Sequence, residues 1–395
     1  MTTYSTIVVG AGPAGSTAAR EIAARGHDVL LLDRARFPRD KPCGGGVTVR
    51  CAALLPFDIS PVVEQVVSGA ILSGPQGGST IRDAGGPLTF MTQRRRLDAF
   101  LVERAQEAGV EFRDGQAVRT IVERPDGTFE VRLGNGDAHH SRVLIGADGA
   151  NGVVGTALGF EHAAEQAVAL EGNLSFPDGP PDWLRGRVAL NLGWLPGGYG
   201  WLFPKGDHIN VGVGGWKAVA GSQLRASLDA YTRTFGWDPA TLTGVRGHHL
   251  PMLRPGARLT ARGVALVGDA AGLVDPLSGE GIYGAIASGV AIAPAAADYL
   301  AGTTHDLRGY QFALDRELVP DLVASHALME VFHAWPRPFT FLAMRSRRVW
   351  NGMTGIVRGE RTYEGIVRRT GPLARTLPPL AWLARRVSAR RYGAR

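Results

Sequence analysis

The sequence has 395 residues, 45% of them hydrophobic and 20% charged, which is typical of a globular protein with room for two domains. Its two cysteines, Cys43 and Cys51, are too few for a disulfide framework or a cysteine-based zinc site. The net charge of +7 is unevenly placed, because the segment from Arg337 onward carries fourteen arginines and two acidic residues, a net +12. This segment lacks interleaved basic and aromatic residues, so it favours an anionic lipid surface over nucleic acid as partner.

Two features of the sequence bear on localisation. A strand begins by about Ser5 without a basic and then apolar leader, and the longest apolar run, about residues 286–300, is broken by Pro294 and Asp298. That run is shorter than the roughly 20 residues that cross a bilayer. We therefore expect a cytoplasmic protein that lies peripherally at the inner face of the membrane through its basic C-terminal segment.

The first 33 residues have the pattern of a strand, an alanine-rich helix and a second strand. The turn between the first strand and the helix carries Gly10, Gly12 and Gly15 in the spacing GxGxxG. These glycines allow a tight turn, close approach of the backbone to a pyrophosphate, and close packing of helix on strand. Asp33, at the end of the second strand, is placed to accept hydrogen bonds from ribose hydroxyls. The segment predicts a dinucleotide site.

Strand patterns of a different kind occupy the middle of the chain. Tryptophans, prolines and alternating residues at 187–192, 199–203 and 209–213 predict an antiparallel sheet. The strand–turn–helix pattern of a dinucleotide-binding fold then recurs, with a buried strand at 264–267, the motif GDAAG from Gly268, and a long helix from about Gly281. An acid at a strand end followed by small residues suits the hydroxyl-rich side chain of a flavin, so FAD is favoured over NAD. No second GxGxxG follows a strand, so a nicotinamide donor has no Rossmann domain of its own.

These patterns predict an α/β protein with a Rossmann-like FAD-binding domain that is discontinuous in sequence. Its parts are residues 1–160, with short substrate-domain strands near 68–92, and residues 256–302. An antiparallel-sheet substrate domain, residues 161–255, is inserted between them. Residues 303–395 are expected to form a helical, basic C-terminal region.

Four segments of the chain resemble the geranylgeranyl reductase family, flavoproteins related to the aromatic hydroxylases. They are GAGPAG from Gly10, FPRDKPCGGG at 37–46, YGWLFPKGDHINVGVG at 199–214, and GDAAGLVDPLSGEGIYGAIASG at 268–289. The resemblance implies an FAD-dependent reductase that saturates carbon–carbon double bonds of a polyprenyl lipid or isoprenoid quinone chain. The alternative is a flavin-dependent monooxygenase of an aromatic or polyketide-like substrate.

The resemblance also implies an external electron donor, either NADPH or a ferredoxin-type protein. Members of the family and their hydroxylase relatives usually carry a serine and then an arginine after ADGAN, where this chain has Gly152 and Gly155. This departure weakens the case for NADPH docking there and leaves the donor open.

Individual FAD contacts follow from the resemblance by position. They are Ala14 and Asp33 at the adenosine half, Cys43, Gly44 and Gly46 against the flavin, Arg94 and Val118 as further contacts, and Asp269, Gly281 and Ile282 at the ribityl–flavin end. Arg94 has an alternative interpretation, as one of three successive surface arginines.

Three residues are candidates for the catalytic site. Cys43, beside Lys41 and a run of glycines, is interpreted as a reactive thiol or proton donor, with a buried packing residue as the alternative. Tyr199 and Trp201 are expected to line an apolar substrate tunnel and exclude water, with a packed sheet core as the alternative. The histidine pairs at 139–140 and 248–249 cannot share a helix face, so we assign them no metal and no catalytic role.

Overall fold

The computed structural model describes residues 2–160, 164–254 and 256–392. The expected domain boundaries at residues 161 and 255 lie outside these described ranges. The strands are β1 Thr2–Val9, β2 Val29–Leu32, β3 Gly46–Thr48, β4 Val63–Val67, β5 Gly69–Ser73, β6 Ser79–Asp83, β7 Thr89–Thr92, β8 Glu111–Arg113, β9 Val118–Glu123, β10 Phe129–Leu133, β11 Ala138–Gly146, β12 Ala164–Ser175, β13 Arg187–Leu192, β14 Tyr199–Pro204, β15 His208–Trp216, β16 Thr243–Leu253 and β17 Val264–Leu266.

The α-helices lie between and after these strands. They are α1 Pro13–Ala23, α2 Val49–Ala52, α3 Arg94–Glu107, α4 Val153–Ala157, α5 Lys217–Ala220, α6 Leu224–Arg233, α7 Ile282–Ala301, α8 Arg308–Glu317, α9 Val319–Ala334, α10 Pro336–Arg345, α11 Arg347–Arg358, α12 Tyr363–Arg368 and α13 Leu377–Tyr392. The helices after α7 confirm the expected helical C-terminal region.

A seven-stranded sheet of mixed direction forms the dinucleotide-binding part. Its order is β8-β2-β1-β11-β10-β9, and β17 also pairs with β11. β1 runs parallel to β2 and β11, and β17 runs parallel to β11, although about 120 residues separate them in sequence. The four residues of β2 are all buried, as expected for a strand covered on both faces. The expected α/β class with a discontinuous Rossmann-like sheet is confirmed.

A second seven-stranded sheet packs against this part, in the order β16-β12-β15-β14-β13-β5-β6. Neighbouring strands are antiparallel except β13 and β5, which are parallel. One face of the sheet forms a core with α6, in which Leu202, Val213 and Tyr231 are buried. The opposite face is therefore free to line a cavity. Strands β3, β7 and β4 make a separate three-stranded sheet.

Helix α7 packs closely on α1. A Cβ added at Gly289 would lie 2.7 Å from the carbonyl oxygen of Ala14, so the glycine allows the two helices to touch. Among the described residues, α7 has the length and the apolar character to cross a membrane, with 20 residues and a mean hydropathy of 1.3. It is longer than the apolar run expected from the sequence, because Pro294 is accommodated within the helix. Since 56% of it is buried within the protein, its apolar character is explained by packing.

A buried ionic cluster ties the C-terminal helices to the dinucleotide-binding part. The Arg50 guanidinium lies 2.7 Å from a carboxylate oxygen of Glu280 and 3.9 Å from one of Asp321 on α9. It also stacks over the Tyr283 ring at 4.0 Å. The hydroxyl of Thr48 donates to Glu280 at 2.7 Å. Glu280 therefore fixes the loop that leads into α7.

We expect Glu280→Gln to lower the free energy of unfolding by about 3–5 kcal/mol, because removing one partner leaves the buried Arg50 charge poorly compensated. The measurement is chemical denaturation followed by circular dichroism. Glu364→Gln is the matched control, since Glu364 forms an exposed pair with Arg368 within one helix, where the loss is below about 1 kcal/mol. Equal effects of the two substitutions would contradict the role of the buried cluster.

Candidate functional site

The candidate site is a cavity between the dinucleotide-binding sheet and the free face of the second sheet, hereafter the inter-sheet cavity. The first group of lining residues comes from the two glycine-rich turns, the loop before β3 and the first residue of α3. The second group comes from alternate positions on β12, β14, β15 and β16. The lining includes Gly12, Ala14, Cys43, Gly44, Arg94, Asp269, Gly281 and Ile282 from the first group, and Ala167, Ala169, Glu171, Tyr199, Trp201, Phe203, Gly214, Trp216, His248, Leu250 and Met252 from the second. A crevice at the carboxyl ends of parallel strands is where ligands bind in such folds.

Two helix N-termini face the inter-sheet cavity. Helix α1 starts after Gly12 and α7 starts after Gly281, and in each the first turn has no acidic residue and no side-chain cap. Each N-terminus therefore presents unpaired backbone N–H groups and a partial positive charge to the cavity. The two ends suit a ligand with a pyrophosphate at one position and a second electron-rich group at the other.

The three glycines of the first turn have different tasks. Gly10 has φ +103° and Gly15 would place a Cβ 1.8 Å from the Gly10 carbonyl oxygen, so both are required by the fold. A Cβ at Gly12 would meet only the guanidinium nitrogens of Arg39 and Arg94, at 3.6 and 3.8 Å. Gly12 therefore leaves space that a ligand can use.

Two arginines flank Gly12, and a buried carboxylate holds both. Arg94 is 5% exposed and forms a bidentate pair with Asp98, with both N–O distances 2.7 Å. Arg39 binds the same carboxylate at 2.9 Å. The interpretation of Arg94 as a surface arginine is therefore wrong. Arg39, which the sequence analysis missed, places a second positive charge beside the phosphate-binding turn.

Asp33 lies where the sequence predicts it, at the end of β2. Its carboxylate accepts the backbone N–H of Ala11 at 2.9 Å and that of Ala35 at 2.8 Å, so its orientation is fixed toward the turn. The side chain keeps further lone pairs for ribose hydroxyls. Val118 lies at the start of β9, near Asp33, because the N–H of Gln116 donates to the Asp33 carbonyl at 2.8 Å.

Three of the residues carried over by position, Asp33, Val118 and Gly46, are not among those that line the inter-sheet cavity. Val118 is partly buried against the core of the first sheet. Gly46 pairs with Met91 in the three-stranded sheet. Their contacts with a cofactor stay predictions.

The loop that carries Cys43 lies flat on the second sheet. A Cβ at Gly44 would be 2.5 Å from the Phe203 ring, and a Cβ at Gly45, which adopts φ +70°, would be 2.1 Å from the Thr92 carbonyl oxygen. The run of glycines is therefore required for this close contact. It places Cys43 in the cavity wall, where its sulfur accepts the Gly45 N–H at 3.4 Å.

A row of aromatic side chains follows alternate positions of β14. The rings of Tyr199 and Trp201 are 5.7 Å apart, and those of Trp201 and Phe203 are 5.9 Å apart. Trp201 lies flat on Gly212, whose added Cβ would be 2.0 Å from the ring, and its N–H donates to Asn210 at 2.8 Å. The row both lines the inter-sheet cavity and packs the sheet, so the two interpretations from the sequence are compatible.

Asp269 has two side-chain partners that the sequence analysis did not find. Burial alone would raise the pKa of Asp269, but Lys41, 3.2 Å away, and His248, 3.4 Å away, hold it well below the ordinary value. His248 therefore lies at the site, although the sequence analysis assigned it no role. The signal was its position two residues before Leu250 and four before Met252 on a strand, which puts all three on one face. Over residues 2–160, 164–254 and 256–392, no cluster of three or more His, Cys, Asp or Glu side chains could hold a metal.

Comparison with known proteins identifies the family of this chain. A model of the FAD binding domain matches residues 3–192. The chain is 32% identical to a chloroplastic geranylgeranyl diphosphate reductase of Oryza sativa subsp. japonica, over 82% of this chain and 74% of that protein. It is 35% identical to a menaquinone reductase of Mycobacterium tuberculosis, over 70% and 73% of the two chains. The chain belongs to the geranylgeranyl reductase family.

The structure of a geranylgeranyl bacteriochlorophyll reductase-like protein from Thermoplasma acidophilum shares the fold. The TM-score is 0.75 at 23% identity, and the superposition covers 96% of this chain and all of that one. As a geranylgeranyl reductase family member, the protein is an FAD-dependent oxidoreductase. The two helix N-termini, Asp33 and the paired arginines at Gly12 fit this cofactor.

Gly152, where this chain departs from the family pattern, lies against the side chain of Asp148. The Asp148 carboxylate accepts the N–H groups of Val153 and Val154, at 2.6 and 3.0 Å, and so caps α4. A Cβ at Gly152 would lie 2.2 Å from that carboxylate. A serine does not fit this position unless the Asp148 side chain moves.

We expect Gly12→Val to fold and to lose most of its FAD, because the protein leaves room for the side chain and the pyrophosphate does not. The wild-type protein is expected to be yellow with non-covalent FAD, so the measurement is flavin absorbance per protein after gel filtration. Gly15→Val is the contrasting variant and should fail to fold, since its side chain would enter the Gly10 carbonyl. Full FAD retention by folded Gly12→Val would contradict this placement of the phosphates.

Proposed function

We propose that the protein saturates carbon–carbon double bonds in the polyprenyl chain of a lipid or an isoprenoid quinone. The main observation in support is that one wall of the FAD-binding cavity is an apolar sheet face. On the same sheet face, the small residues Ala167 and Ala169 of β12 and Gly214 of β15 leave space beside the aromatic row of β14. The geranylgeranyl diphosphate reductase and menaquinone reductase relatives support this substrate class.

The far end of the inter-sheet cavity is lined by large apolar side chains. Trp216 and Met252 are both buried, and the Trp216 ring meets the His333 ring of α9 at 4.3 Å between centroids. Burying an apolar chain here recovers about 25 cal/mol for each Å² removed from water. A flexible isoprenoid is therefore a better match to this wall than a compact polar ring.

The protein contributes to the reaction in three ways: it positions the alkene, it excludes water and it provides a proton. Once the external donor has reduced it, bound FAD would supply the hydride for one alkene carbon. Cys43, in the wall beside Gly44, is placed to give a proton to the other carbon. The aromatic row of β14 excludes water, which would otherwise capture a cationic centre on the substrate.

Electrons reach the protein from an external donor, which we propose is NADPH or a ferredoxin-type protein. Gly152 and Gly155 stand where the family's hydroxylase relatives usually carry a serine and an arginine. Because this chain carries neither side chain there, NADPH as the donor would need another docking surface. Stopped-flow reduction of the bound flavin by each donor distinguishes the two.

We expect the FAD-loaded, reduced protein to convert a geranylgeranyl lipid or a menaquinone into products heavier by about two hydrogens per double bond reduced. Mass spectrometry of the extracted lipid measures this gain. Cys43→Ala should keep FAD and lower the rate about 100-fold, the usual loss for a positioned proton donor. Cys51→Ala is the control, because Cys51 is fully buried and does not line the cavity.

Two outcomes would contradict this proposal. Unchanged turnover in Cys43→Ala with unchanged flavin content would show that Cys43 is a packing residue. An oxygen-dependent product that gains an oxygen atom would identify the monooxygenase alternative.

We further propose that the C-terminal helix α13 docks on an anionic membrane. Leu380, Trp382 and Leu383 are 38%, 56% and 47% exposed, and the Arg386 guanidinium stacks over the Trp382 ring at 3.8 Å. Exposed apolar side chains beside arginines suit the boundary between acyl chains and anionic headgroups. A C20 chain costs on the order of ten kcal/mol to expose to water, so the enzyme gains by meeting it at the bilayer.

We expect salt-sensitive binding to vesicles that contain anionic lipid, with about 1 kcal/mol for each arginine near the surface. The double variant Trp382→Ser, Arg386→Gln should lose most of this binding in a sedimentation assay. Point variants are preferable to truncation, because Arg385 of the same helix pairs at 3.3 Å with Glu330, which is 1% exposed. Arg225→Gln on α6 is the control. Equal binding to neutral and anionic vesicles would show that α13 is not the anchor.

A further inference from the structure

Glu171 is an acidic residue in the wall of the inter-sheet cavity. It follows Ala167 and Ala169 on the same face of β12, so it is the polar end of an otherwise small and apolar row. The residue is 8% exposed. Its carboxylate accepts the backbone N–H of Cys43 at 2.5 Å, which places it beside the residue whose thiol we assign to proton delivery.

The surroundings of Glu171 keep a proton available near neutral pH. Burial raises the pKa of Glu171 to about 7, although the Cys43 N–H and the Lys205 ammonium oppose this rise. The carboxyl therefore holds its proton below about pH 7 and releases it above. Lys205 is 2% exposed and donates to the carbonyls of Gly44 and Thr92, and burial lowers its pKa to about 8.

The other charged groups around Glu171 come from the loop before β3 and from β16. Asp40 in that loop raises the pKa of Glu171 further. Arg246 stands opposite Glu171 in the β12–β16 pair, and its guanidinium lies 3.7 Å from the Asp40 carboxylate. The pairing of Arg246 with Asp40 leaves Lys205 and Cys43 as the titratable neighbours on the cavity side. Lys205 donates to two backbone carbonyls, which hold its ammonium group in place.

We propose that Glu171 is the proton donor that restores the Cys43 thiol during each reduction, an inference that rests on the function proposed above. The Cys43 S–H bond breaks as a C–H bond forms on the substrate, and a thiolate remains. The Glu171 O–H bond then breaks as the S–H bond forms again. With the hydride on the neighbouring carbon, the alkene has gained two hydrogens, and Glu171 takes its proton back from water after the product leaves.

The proposal gives Glu171 a distinct pH signature. Turnover of the wild-type protein should be full below about pH 7 and fall as pH rises through that value, because the carboxylate has no proton to give. Glu171→Gln should lower kcat about 100-fold, leave KM nearly unchanged and lose this pH dependence. Glu171→Asp should recover a large part of kcat and keep a pH-dependent fall. These readouts separate proton donation from a purely structural role.

A second measurement is independent of turnover. In the oxidised, FAD-loaded protein, the rate of Cys43 alkylation by iodoacetamide should be about tenfold higher in Glu171→Gln than in wild type at about pH 8, since the nearby carboxylate disfavours a second negative charge. Peptide mass spectrometry assigns the alkylation to Cys43 rather than Cys51. Glu130→Gln is the control, because the Glu130 side chain is 13% exposed and pairs with Arg132 outside the cavity. It should alkylate and turn over like wild type.

Glu171→Gln that keeps FAD, wild-type kcat and the wild-type pH profile would overturn the proposal. So would alkylation rates equal to those of wild type at every pH. If the protein reduced no polyprenyl chain, the proposed function would fail, whereas faster alkylation in Glu171→Gln would still establish the electrostatic coupling of the two residues. If Glu171→Gln did not fold, Glu171→Asp would decide the question, and loss of its turnover without a pH-dependent fall would count against proton donation.

Discussion

Two helix N-termini that face the same cavity are the constraint on which the rest of the structure depends. The unpaired N–H groups of α1 and α7 are not capped by side chains, so a ligand with electron-rich groups has to satisfy them. To bring both ends to one cavity, the helices must pack with almost no side chain between them, which is why Gly289 meets the Ala14 backbone. A Cβ at Gly10 would meet the Ala147 carbonyl and one at Gly15 the Gly10 carbonyl, so the turn before α1 requires both glycines. Asp98 completes the arrangement, because its carboxylate holds both Arg39 and Arg94 beside the phosphate-binding turn. One negative charge is thus shared by two arginines.

The position of this cavity could be predicted from the sequence because its main elements are local. The first turn and the second glycine-rich turn each follow a buried strand and precede a helix, and the strands at 187–192 and 199–204 follow simple alternation. These signals depend on neighbours within a few residues, so they survive without knowledge of the tertiary structure. The fold class and the FAD cofactor were predicted for this reason.

The residues that the sequence analysis missed owe their importance to tertiary packing. Glu171 is one acid in a run of small residues, and nothing near it in sequence indicates that Cys43, 128 residues earlier, lies against it. His248 became relevant only through its contact with Asp269. Arg94 was ambiguous among three successive arginines, although Asp98 four residues later was a usable signal for a buried helical pair. Strand register, which decides which alternate side chains face the cavity, was not available from the pattern alone.

The discontinuous first sheet has a consequence for the way the protein is made. When a ribosome has synthesised the first 160 residues, β11 still lacks its parallel neighbour β17, and α1 lacks the helix that covers it. About 100 further residues must emerge before β17 exists, and about 140 before α7 is complete. The nascent N-terminal segment therefore exposes an apolar edge and an apolar helix face for many seconds, at synthesis rates of about 5–20 residues per second. Chaperone binding during translation would protect this segment, and slow codons placed after α7 would give the two halves time to join.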